Sequence, residues 1–390
     1  MRMNQDSYGI YVHIPFCSQF CVYCDFYSVK QISKREPFIE SLKREILLTG
    51  DEWSIGDNLN KRGVRTIYFG GGTPSVLDPF RIKELLDLIT KTHKSTDGGI
   101  EEITIEVNPD DITAEYLKEL RSAGFNRLSI GIQSFDDSIL RWMNRRHTGI
   151  VAQEAFYCAR EAGFENISID LIFGYEMLSD ALWQDTLGKA ISLDPEHISA
   201  YQMGVEPETP LYKLLLEGRY SIPDDETAFG QYKMLQELLS DAGYLQYEVS
   251  NFAKPGRESI HNSSYWNFTP YLGLGPSAHS FSGKKRSWNC DSVSRYINEI
   301  MEGGNSCGGF EILEEKEEFC EFIMLSLRSV RGIDRNILQN RFPQFLTEEF
   351  HKSILLQKNS GNLTEEGGYI KIPSEKLFVS DGIIRSICWD

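Results

Sequence analysis

The chain has 390 residues, with 40 Lys and Arg against 57 Asp and Glu, and so a formal net charge of −17. Such an excess of negative charge disfavours partners that are attracted through phosphates, so we expect no nucleic-acid binding. The hydrophobic fraction of 41% is ordinary for a globular protein. The sequence shows no apolar run near the roughly 20 residues of a transmembrane segment, and no secretory signal. We therefore expect a cytoplasmic protein.

Six β-forming stretches alternate with helical patterns in the first half of the chain. Two of these stretches belong to a repeat, because the sequence beginning at Arg121 is very similar to the sequence beginning at Arg160. In each copy a glycine, Gly124 or Gly163, stands where a helix is expected to end, and a strand follows it. A third echo of this repeat, at 241–249, predicts another helix, turn and strand. The other four strands are predicted at 9–14, 64–69, 103–107 and 197–201. Repeated βα units imply parallel strands, in either an incomplete barrel or an open doubly wound sheet.

The remaining third of the chain has a different pattern. After a βα domain at 1–250, residues 251–309 are rich in Pro and Gly, which predicts a connecting segment. Residues 310–390 predict a small, mainly helical domain with a glycine-rich hairpin near 361–372, an arrangement that could form a winged helix. Ten Lys and Arg against fourteen Asp and Glu in residues 307–390 favour packing or protein contact for this domain over DNA binding.

Three cysteines are clustered directly after the first strand. The spacing of Cys17, Cys21 and Cys24 is C-x3-C-x2-C. They lie in the loop between the first strand and the first helix, and βα folds place their functional residues in such loops. A four-iron cluster held by three cysteines keeps one iron open to chelate a small molecule. A zinc site that also uses His13 is the main alternative, and three unliganded thiols are the other. The remaining cysteines have no ligand spacing.

A glycine-rich turn follows the second strand. Residues 70–74 read GGGTP, and three glycines let a backbone approach a bound ligand closely. The run also suits a plain tight turn, because it does not match the dinucleotide-binding pattern. Its position beside the cysteine loop favours binding.

The cysteine spacing, with Tyr23 before the last cysteine, and the GGGTP run resemble the radical S-adenosylmethionine (SAM) superfamily. The resemblance covers nearly the whole chain. It narrows to the branch of the oxygen-independent coproporphyrinogen III oxidases through the motifs at 11–17, 105–109, 131–135, 144–145 and 169–174. It implies an incomplete (β/α)6 barrel that binds a [4Fe–4S] cluster and SAM.

The resemblance also implies the residues that contact SAM. Three of them, Glu106, Gln133 and Asp170, are placed by the strand pattern itself at or near strand ends, where a βα fold gathers polar groups. Any one of them alone could be a structural residue that caps a helix or forms hydrogen bonds at the end of a strand. Together, at successive strand ends, they favour a ligand-binding site. The full set is Tyr11, Tyr23, Gly71, Gly72, Thr73, Glu106, Gln133, Arg145 and Asp170.

Within this branch, two sequence features resemble those of the HemW-type haem chaperones. Phe26 stands where the decarboxylating enzymes carry a further cysteine. His261, Tyr265 and Trp266 belong to an H-N-x-x-Y-W motif that resembles the family's haem-binding motif, and a histidine is a good axial ligand for haem iron. A structural histidine among core aromatics is the alternative, and His279 is a second candidate. The resemblance thus implies haem as cargo and haem-accepting proteins as partners. A catalytic coproporphyrinogen III oxidase, acting on porphyrinogen, is the second hypothesis, so whether the chain is an enzyme stays open.

Overall fold

The computed structural model describes residues 7–55, 63–303 and 308–388, and six parallel strands form its centre. They pair side by side in chain order, with no reversal of direction or order. A doubly wound sheet requires a reversal of strand order, so the structure selects the incomplete barrel. All six predicted strands are present, as β1 (Ser7–Ile14), β2 (Gly63–Gly71), β3 (Glu102–Val107), β4 (Arg127–Gln133), β5 (Ile167–Phe173) and β6 (His197–Gln202).

Helices connect these strands and cover the outside of the barrel. The two repeats begin their helices alike, since the hydroxyls of Thr113 and Thr148 each cap the first turn of a helix. Gly124 and Gly163 follow with φ of 112° and 89°, as the repeat predicts. The helices are α1 (Arg35–Ile55), α2 (Pro79–Thr92), α3 (Ala114–Ala123), α4 (Asp137–Trp142), α5 (Gly149–Glu161) and α6 (Asp180–Leu193).

Alternation along the strands separates an apolar core from a polar interior. In β4, Leu128, Ile130 and Ile132 are fully buried in the main core. The residues between them, together with Arg127 and Gln133 at the ends, line a cavity inside the barrel. Because successive side chains of a strand point to opposite faces, one face packs on the helices and the other surrounds the cavity.

The segment 251–309, predicted to be a connecting segment, contributes strands to both edges of the same sheet. β8 (Asn251–Ala253) pairs antiparallel with β6, and β9 (Tyr271–Leu274) pairs parallel with β1. Strands of three or four residues are too short to show a period, which is why the sequence pattern there looks loose. The segment contains β8 (Asn251–Ala253), α9 (Ile260–Trp266), β9 (Tyr271–Leu274), β10 (His279–Phe281), β11 (Lys285–Trp288), α10 (Val293–Met301) and the start of β12 (Gly309–Ile312).

The third echo of the repeat is present in a different role. After α7 (Pro210–Leu216), helix α8 (Asp225–Asp241) leads through Gly243, with φ of 84°, into β7 (Leu245–Gln246). The echo therefore does form a helix, a turn and a strand. However, β7 pairs antiparallel with β8 at the sheet edge and does not extend the parallel set.

Helix α9 lies toward the N-terminal ends of the strands. Glu102, the first residue of β3, accepts hydrogen bonds from the Ser259 hydroxyl (3.1 Å) and from the backbone N–H groups of Ile260 (2.8 Å) and His261 (3.0 Å). A carboxylate at a helix N-terminus is stabilised by the helix dipole. The cysteine loop follows the C-terminal end of β1, so α9 and the cysteines are at opposite ends of the barrel.

The C-terminal region has the element order of a winged helix. Three strands, β13 (Ile333–Asp334), β15 (Tyr369–Lys371) and β14 (Thr364–Glu366), form an antiparallel sheet in that order. Gly367 and Gly368, both with positive φ, make the predicted hairpin turn. The sequence pattern predicts a last helix that ends at Trp389, which, like Cys307, lies outside the described residues. No described helix is long and apolar enough to cross a membrane. The elements are α11 (Glu315–Leu327), β13 (Ile333–Asp334), α12 (Arg335–Arg341), α13 (Glu348–Asn359), β14 (Thr364–Glu366), β15 (Tyr369–Lys371) and α14 (Ser380–Cys388).

Candidate functional site

A cavity of about 1000 Å³ runs through the barrel from the cysteine loop to α9. It brings together the three cysteines, all the predicted SAM contacts, His261 and Tyr265, but neither Trp266 nor His279. The predicted residues that line it are Cys17, Cys21, Cys24, Tyr11, Tyr23, Gly71, Gly72, Thr73, Glu106, Gln133, Arg145, Asp170, His261 and Tyr265.

The cysteine loop is held by backbone and side-chain contacts. The N–H of Cys17 donates to the carbonyl of Val29 at 3.0 Å. The Cys17 sulfur lies 3.5 Å from the Thr73 hydroxyl, and the Cys21 sulfur accepts from Arg145 Nη1 at 3.6 Å. Burial raises the pKa of the Cys17 thiol, and it raises the pKa of the Cys24 thiol to about 12. Such thiols are poor nucleophiles on their own, and a bound metal would hold them as thiolates.

His13 does not join the cysteines as a fourth ligand. Burial lowers its pKa to about 4, so the imidazole is neutral. Its Nε2–H donates to the Tyr27 carbonyl at 2.9 Å, and its Nδ1 accepts from the Tyr11 hydroxyl at 3.2 Å. Among the described residues no three His, Cys, Asp or Glu side chains are placed to hold a single metal ion. The cysteines of an iron–sulfur cluster bind separate irons and therefore lie farther apart.

The three glycines of the GGGTP run make room for protein atoms. A Cβ on Gly70 would lie 2.8 Å from a Glu106 oxygen, and one on Gly71 would lie 2.7 Å from the His13 ring. On Gly72 it would lie 2.8 Å from the Phe16 carbonyl oxygen and 3.1 Å from the Cys17 sulfur. The run therefore lets β2 pack closely on β3 and on the cysteine loop while it also lines the cavity.

Two carboxyl groups, on Glu106 and Asp170, face the cavity from β3 and β5. Glu106 accepts from the Tyr68 hydroxyl at 2.8 Å and from the Gly71 N–H at 3.2 Å. The Ser129 hydroxyl donates to Asp170 at 3.2 Å. Burial raises both pKa values, that of Glu106 to about 7. Neutral donors hold both groups, so each can exchange a proton or accept hydrogen bonds from a cationic ligand.

Gln133 and Arg145 are positioned by an irregularity at the end of β4. The pairing of β4 with β5 shifts register between Gly131 and Gln133, and Gln133 has φ of 68°. Such a conformation is unfavourable for a residue with a Cβ, and strain of this kind is concentrated at functional sites. Arg145 Nη2 donates to Asn108 at 2.7 Å and to the Gly131 carbonyl at 2.5 Å. A Cβ on Gly131 would approach Gln133 to 3.0 Å and Arg145 to 3.3 Å, which explains the glycine.

His261 forms part of the cavity floor at the α9 end. Its Nδ1 lies 2.8 Å from the Thr66 hydroxyl and its Nε2 2.9 Å from the Tyr265 hydroxyl. The ring stacks on Tyr68, with centroids 5.2 Å apart, and is only 2% exposed. Burial lowers its pKa to about 3, so the imidazole is neutral. Both nitrogens are engaged, so ligation of a haem iron requires one of these hydrogen bonds to break.

Two other predicted haem contacts lie elsewhere. Trp266 is not among the cavity residues, and its indole N–H is buried without a hydrogen-bond acceptor in the described chain. His279 is exposed and stacks on Trp288, with ring centroids 5.9 Å apart.

Several cavity residues were missed by the sequence reasoning. The alternating stretch 127–133 contained a signal for two of them, since its polar positions all face one side of β4. Others come from separate elements with no local signal. The missed residues include Tyr68, Asn108, Arg127, Ser129, His197, Ser199, Tyr201 and Asn262.

The sequence is similar to a known protein superfamily and to several characterised proteins. The family model described as the radical SAM superfamily matches residues 11–190. The heme chaperone HemW of Bacillus subtilis is 36% identical over 369 residues, which cover 92% of this chain and 95% of that protein. HemW of Haemophilus influenzae is 38% identical over 393 residues, which cover 96% of this chain and 98% of that protein.

A solved structure shares the fold along nearly the whole chain. Coproporphyrinogen III oxidase (HemN) of Escherichia coli, described as a radical SAM enzyme, superposes with a TM-score of 0.83 at 23% identity. The match covers 99% of this chain and 91% of that one. It confirms the α/β radical SAM fold, and the C-terminal region is part of the match.

Proposed function

Because the chain belongs to the radical SAM superfamily, and within it to the family of the HemW proteins, we propose that it is a haem chaperone that holds a [4Fe–4S] cluster and SAM. The observation that carries this proposal is the single cavity, which joins three cysteines at one end to the H-N-x-x-Y-W histidine at the other. Haem-accepting proteins as partners and a cytoplasmic location stay predictions.

The residues around the cysteine loop suit an iron–sulfur cluster. Cys17, Cys21 and Cys24 would be its ligands, and the Thr73 hydroxyl and the Arg145 guanidinium lie within donating distance of two of their sulfurs. Hydrogen bonds to ligand sulfurs stabilise their negative charge and tune such a cluster. When bound, a cluster with one open iron supplies the electron that cleaves SAM to a 5′-deoxyadenosyl radical.

The polar groups at the C-terminal ends of the strands suit SAM. Glu106 and Asp170 would accept hydrogen bonds from hydroxyl and amino groups, and a cationic ligand would favour the ionised form of Glu106, whose pKa is about 7. Gln133 and Arg145 would orient the ligand from the end of β4. Tyr11, Tyr23, Gly71, Gly72 and Thr73 would complete the surroundings beside the cysteines.

Haem would reach the motif from inside the cavity. His261 and Tyr265 line it, whereas Trp266 does not. His261 would become a ligand of the haem iron by giving up its hydrogen bond to Tyr265 or to Thr66. Tyr265, whose ring meets that of His261 edge-on at 5.3 Å, would then lie beside the macrocycle.

The second candidate function is oxygen-independent coproporphyrinogen III oxidation, and the shared fold with HemN favours it. The place of the additional cysteine of those enzymes is taken here by Phe26, which is 66% exposed and lines the cavity near the cysteine loop. A phenylalanine supplies no thiol, so this chain would have to reach the same chemistry without it.

One experiment separates the two functions. The protein is reconstituted anaerobically with iron and sulfide and incubated with SAM and dithionite, with haem or with coproporphyrinogen III. The haem spectrum, 5′-deoxyadenosine and decarboxylated product are measured together. We expect a stable haem spectrum and no decarboxylated product. Decarboxylated porphyrinogen formed together with 5′-deoxyadenosine would establish the oxidase instead.

A further inference from the structure

Arg127, the first residue of β4, is a buried cation that faces the cavity. It is 2% exposed and lines the cavity wall. Within the described residues its guanidinium has no hydrogen bond or ion pair, and its Nε is buried without an acceptor. An arginine stays charged at any physiological pH, and a buried charge without a partner is strongly unfavourable.

The neighbouring carboxyl groups interact with this charge only through space, since burial raises the pKa of Glu106 and of Asp170 and Arg127 offsets part of that rise without hydrogen-bonding to either. Glu106 and Asp170 share the cavity, but their oxygens accept from Tyr68, Gly71 and Ser129, and neither forms an ion pair with Arg127. The guanidinium of Arg127 therefore keeps its N–H donors available to a ligand, although two carboxyl groups share the cavity.

The two histidines on the cavity wall are neutral, so they add no charge of either sign. His197 lies 2.8 Å from the Ser168 hydroxyl through Nδ1 and 2.8 Å from the Tyr247 hydroxyl through Nε2. His261 is held in the same way by two hydroxyls. Burial lowers the pKa of both imidazoles. These two imidazoles therefore give the guanidinium no counter-charge.

Arg127 is also well separated from the cysteine end of the site. It pairs with Thr104 at the beginning of β4, whereas Gln133 ends the strand. Six residues of extended strand span about 20 Å. Arg145, the arginine beside Cys21, is already engaged by Asn108 and Gly131. Arg145 thus has hydrogen-bond partners of its own, whereas Arg127 has none among the described residues.

We propose that Arg127 binds a carboxylate group of the small molecule that fills this cavity. A guanidinium presents parallel N–H donors that match the two oxygens of a carboxylate, and pairing would relieve the cost of its burial. Two ligands of the proposed function carry such a group, haem on its propionates and SAM on its methionyl end. The position of Arg127 favours haem, because the cluster that would cleave SAM lies at the opposite, cysteine end of the cavity. The inference rests on the proposed function for these two sources, and the test distinguishes them.

The test compares ligands with and without the carboxylate in wild-type protein and in Arg127→Met, which removes the charge at similar volume. The reconstituted protein is titrated with haem and haem dimethyl ester, and separately with SAM and 5′-methylthioadenosine. We expect haem to bind at least tenfold more weakly to the variant, with unchanged binding of haem dimethyl ester. The same difference in the SAM pair instead would identify the carboxylate of SAM as the source. Equal effects on acid and counterpart, or no effect on either pair, would overturn the proposal.

Melting temperature separates binding from a structural role. Removing an unpaired buried charge should leave the ligand-free melting temperature of Arg127→Met unchanged or higher, and a clear fall would mean that Arg127 supports the fold and would count against the proposal. Arg65→Met is the matched control, because Arg65 pairs with Glu101 and does not line the cavity. It should leave all four affinities unchanged. Wild-type protein that binds SAM but no haem would refute the chaperone function, and the SAM pair alone would then decide the role of Arg127.

Discussion

The imidazole of His261 lies 2.8 Å, Nδ1 to Oγ1, from the hydroxyl of Thr66, a residue 195 positions earlier in the chain. This contact joins the H-N-x-x-Y-W helix to the interior of β2. Gly9 of β1 makes it possible, because a Cβ there would lie 2.9 Å from the Thr66 hydroxyl oxygen and 3.1 Å from the imidazole. The motif histidine is thus a wall residue of the cavity with two hydrogen bonds that compete with any iron.

Haem affinity should rise in Tyr265→Phe. The substitution keeps the ring beside His261 and removes the hydroxyl that occupies Nε2. One competing hydrogen bond contributes about 1 kcal/mol, so haem should bind about fivefold more tightly. Haem titration followed by absorbance measures the change. Tyr244→Phe, which removes a hydroxyl bonded to the Pro195 carbonyl, is the control and should not alter haem binding. Unchanged affinity in Tyr265→Phe would argue that His261 does not bind the haem iron through Nε2.

Cluster assembly should require Cys21 and not Cys158. Cys21→Ser removes one of the three thiolates of the loop, so we expect the reconstituted protein to lose its iron and sulfide and the visible absorption of the cluster. Cys158, on α5, lies outside the cavity, and Cys158→Ser should keep a full complement. Iron, sulfide and zinc analysis of both variants measures the result. Stoichiometric zinc in the wild-type protein would contradict the cluster assignment.

Gly72→Ala should disturb the cysteine loop. Its Cβ would meet the Phe16 and Ile14 carbonyl oxygens at 2.8 and 3.0 Å, and backbone atoms in a strand and its loop cannot move aside easily. We expect a loss of about 1–3 kcal/mol in the free energy of unfolding, together with lower iron incorporation. Urea titration and iron analysis measure these effects.

Gly188→Ala is the control for that substitution. Gly188 lies within α6, where an added Cβ would have no neighbour within 4 Å. An alanine in a helix is favoured over glycine, so stability should rise by about 0.5–1 kcal/mol with no change in iron content. If both variants changed the free energy of unfolding equally, the close contacts of Gly72 would not be what destabilises Gly72→Ala.

Glu106→Gln should change how stability depends on pH. Burial raises the pKa of Glu106 from 4.5 to about 7, so the folded protein keeps a proton that the unfolded chain releases, and stability is lost as the pH rises through this range. Glutamine has no such proton. Relative to wild type, the ligand-free variant should therefore gain about 1.4 kcal/mol per pH unit over that range, about 3 kcal/mol in all.

Urea titrations at pH 5 and pH 8 measure this difference. The exposed Glu119 on α3 offers a control, and Glu119→Gln should show the same stability relative to wild type at both pH values. A Glu106→Gln variant whose relative stability does not change between the two pH values would show that Glu106 is ionised throughout the range.

Much of the fold and of the site was predictable because the responsible signals are local. Runs of β-forming residues mark the six strands, helix-ending glycines mark the repeated units, and the cysteine spacing follows from the need for three thiolates in one loop. Glu106 and Asp170 could be placed because the C-terminal ends of parallel strands meet at one end of a barrel. Such features require only the neighbouring residues and the geometry of the backbone.

The tertiary structure decided what depends on distant residues. Strand order selected the barrel over the doubly wound sheet, and the short strands of 251–309 became recognisable only through their pairing with β6 and β1. His13 lost its role as a possible zinc ligand through its contacts with Tyr11 and Tyr27. Only the structure shows that Arg127 has no hydrogen-bond partner among the described residues, because the partners of a buried side chain can come from every element around a cavity. Sequence determines which groups a chain carries and in what local order, whereas hydrogen-bond partners and unpaired charges arise from side chains that folding brings together across the whole chain.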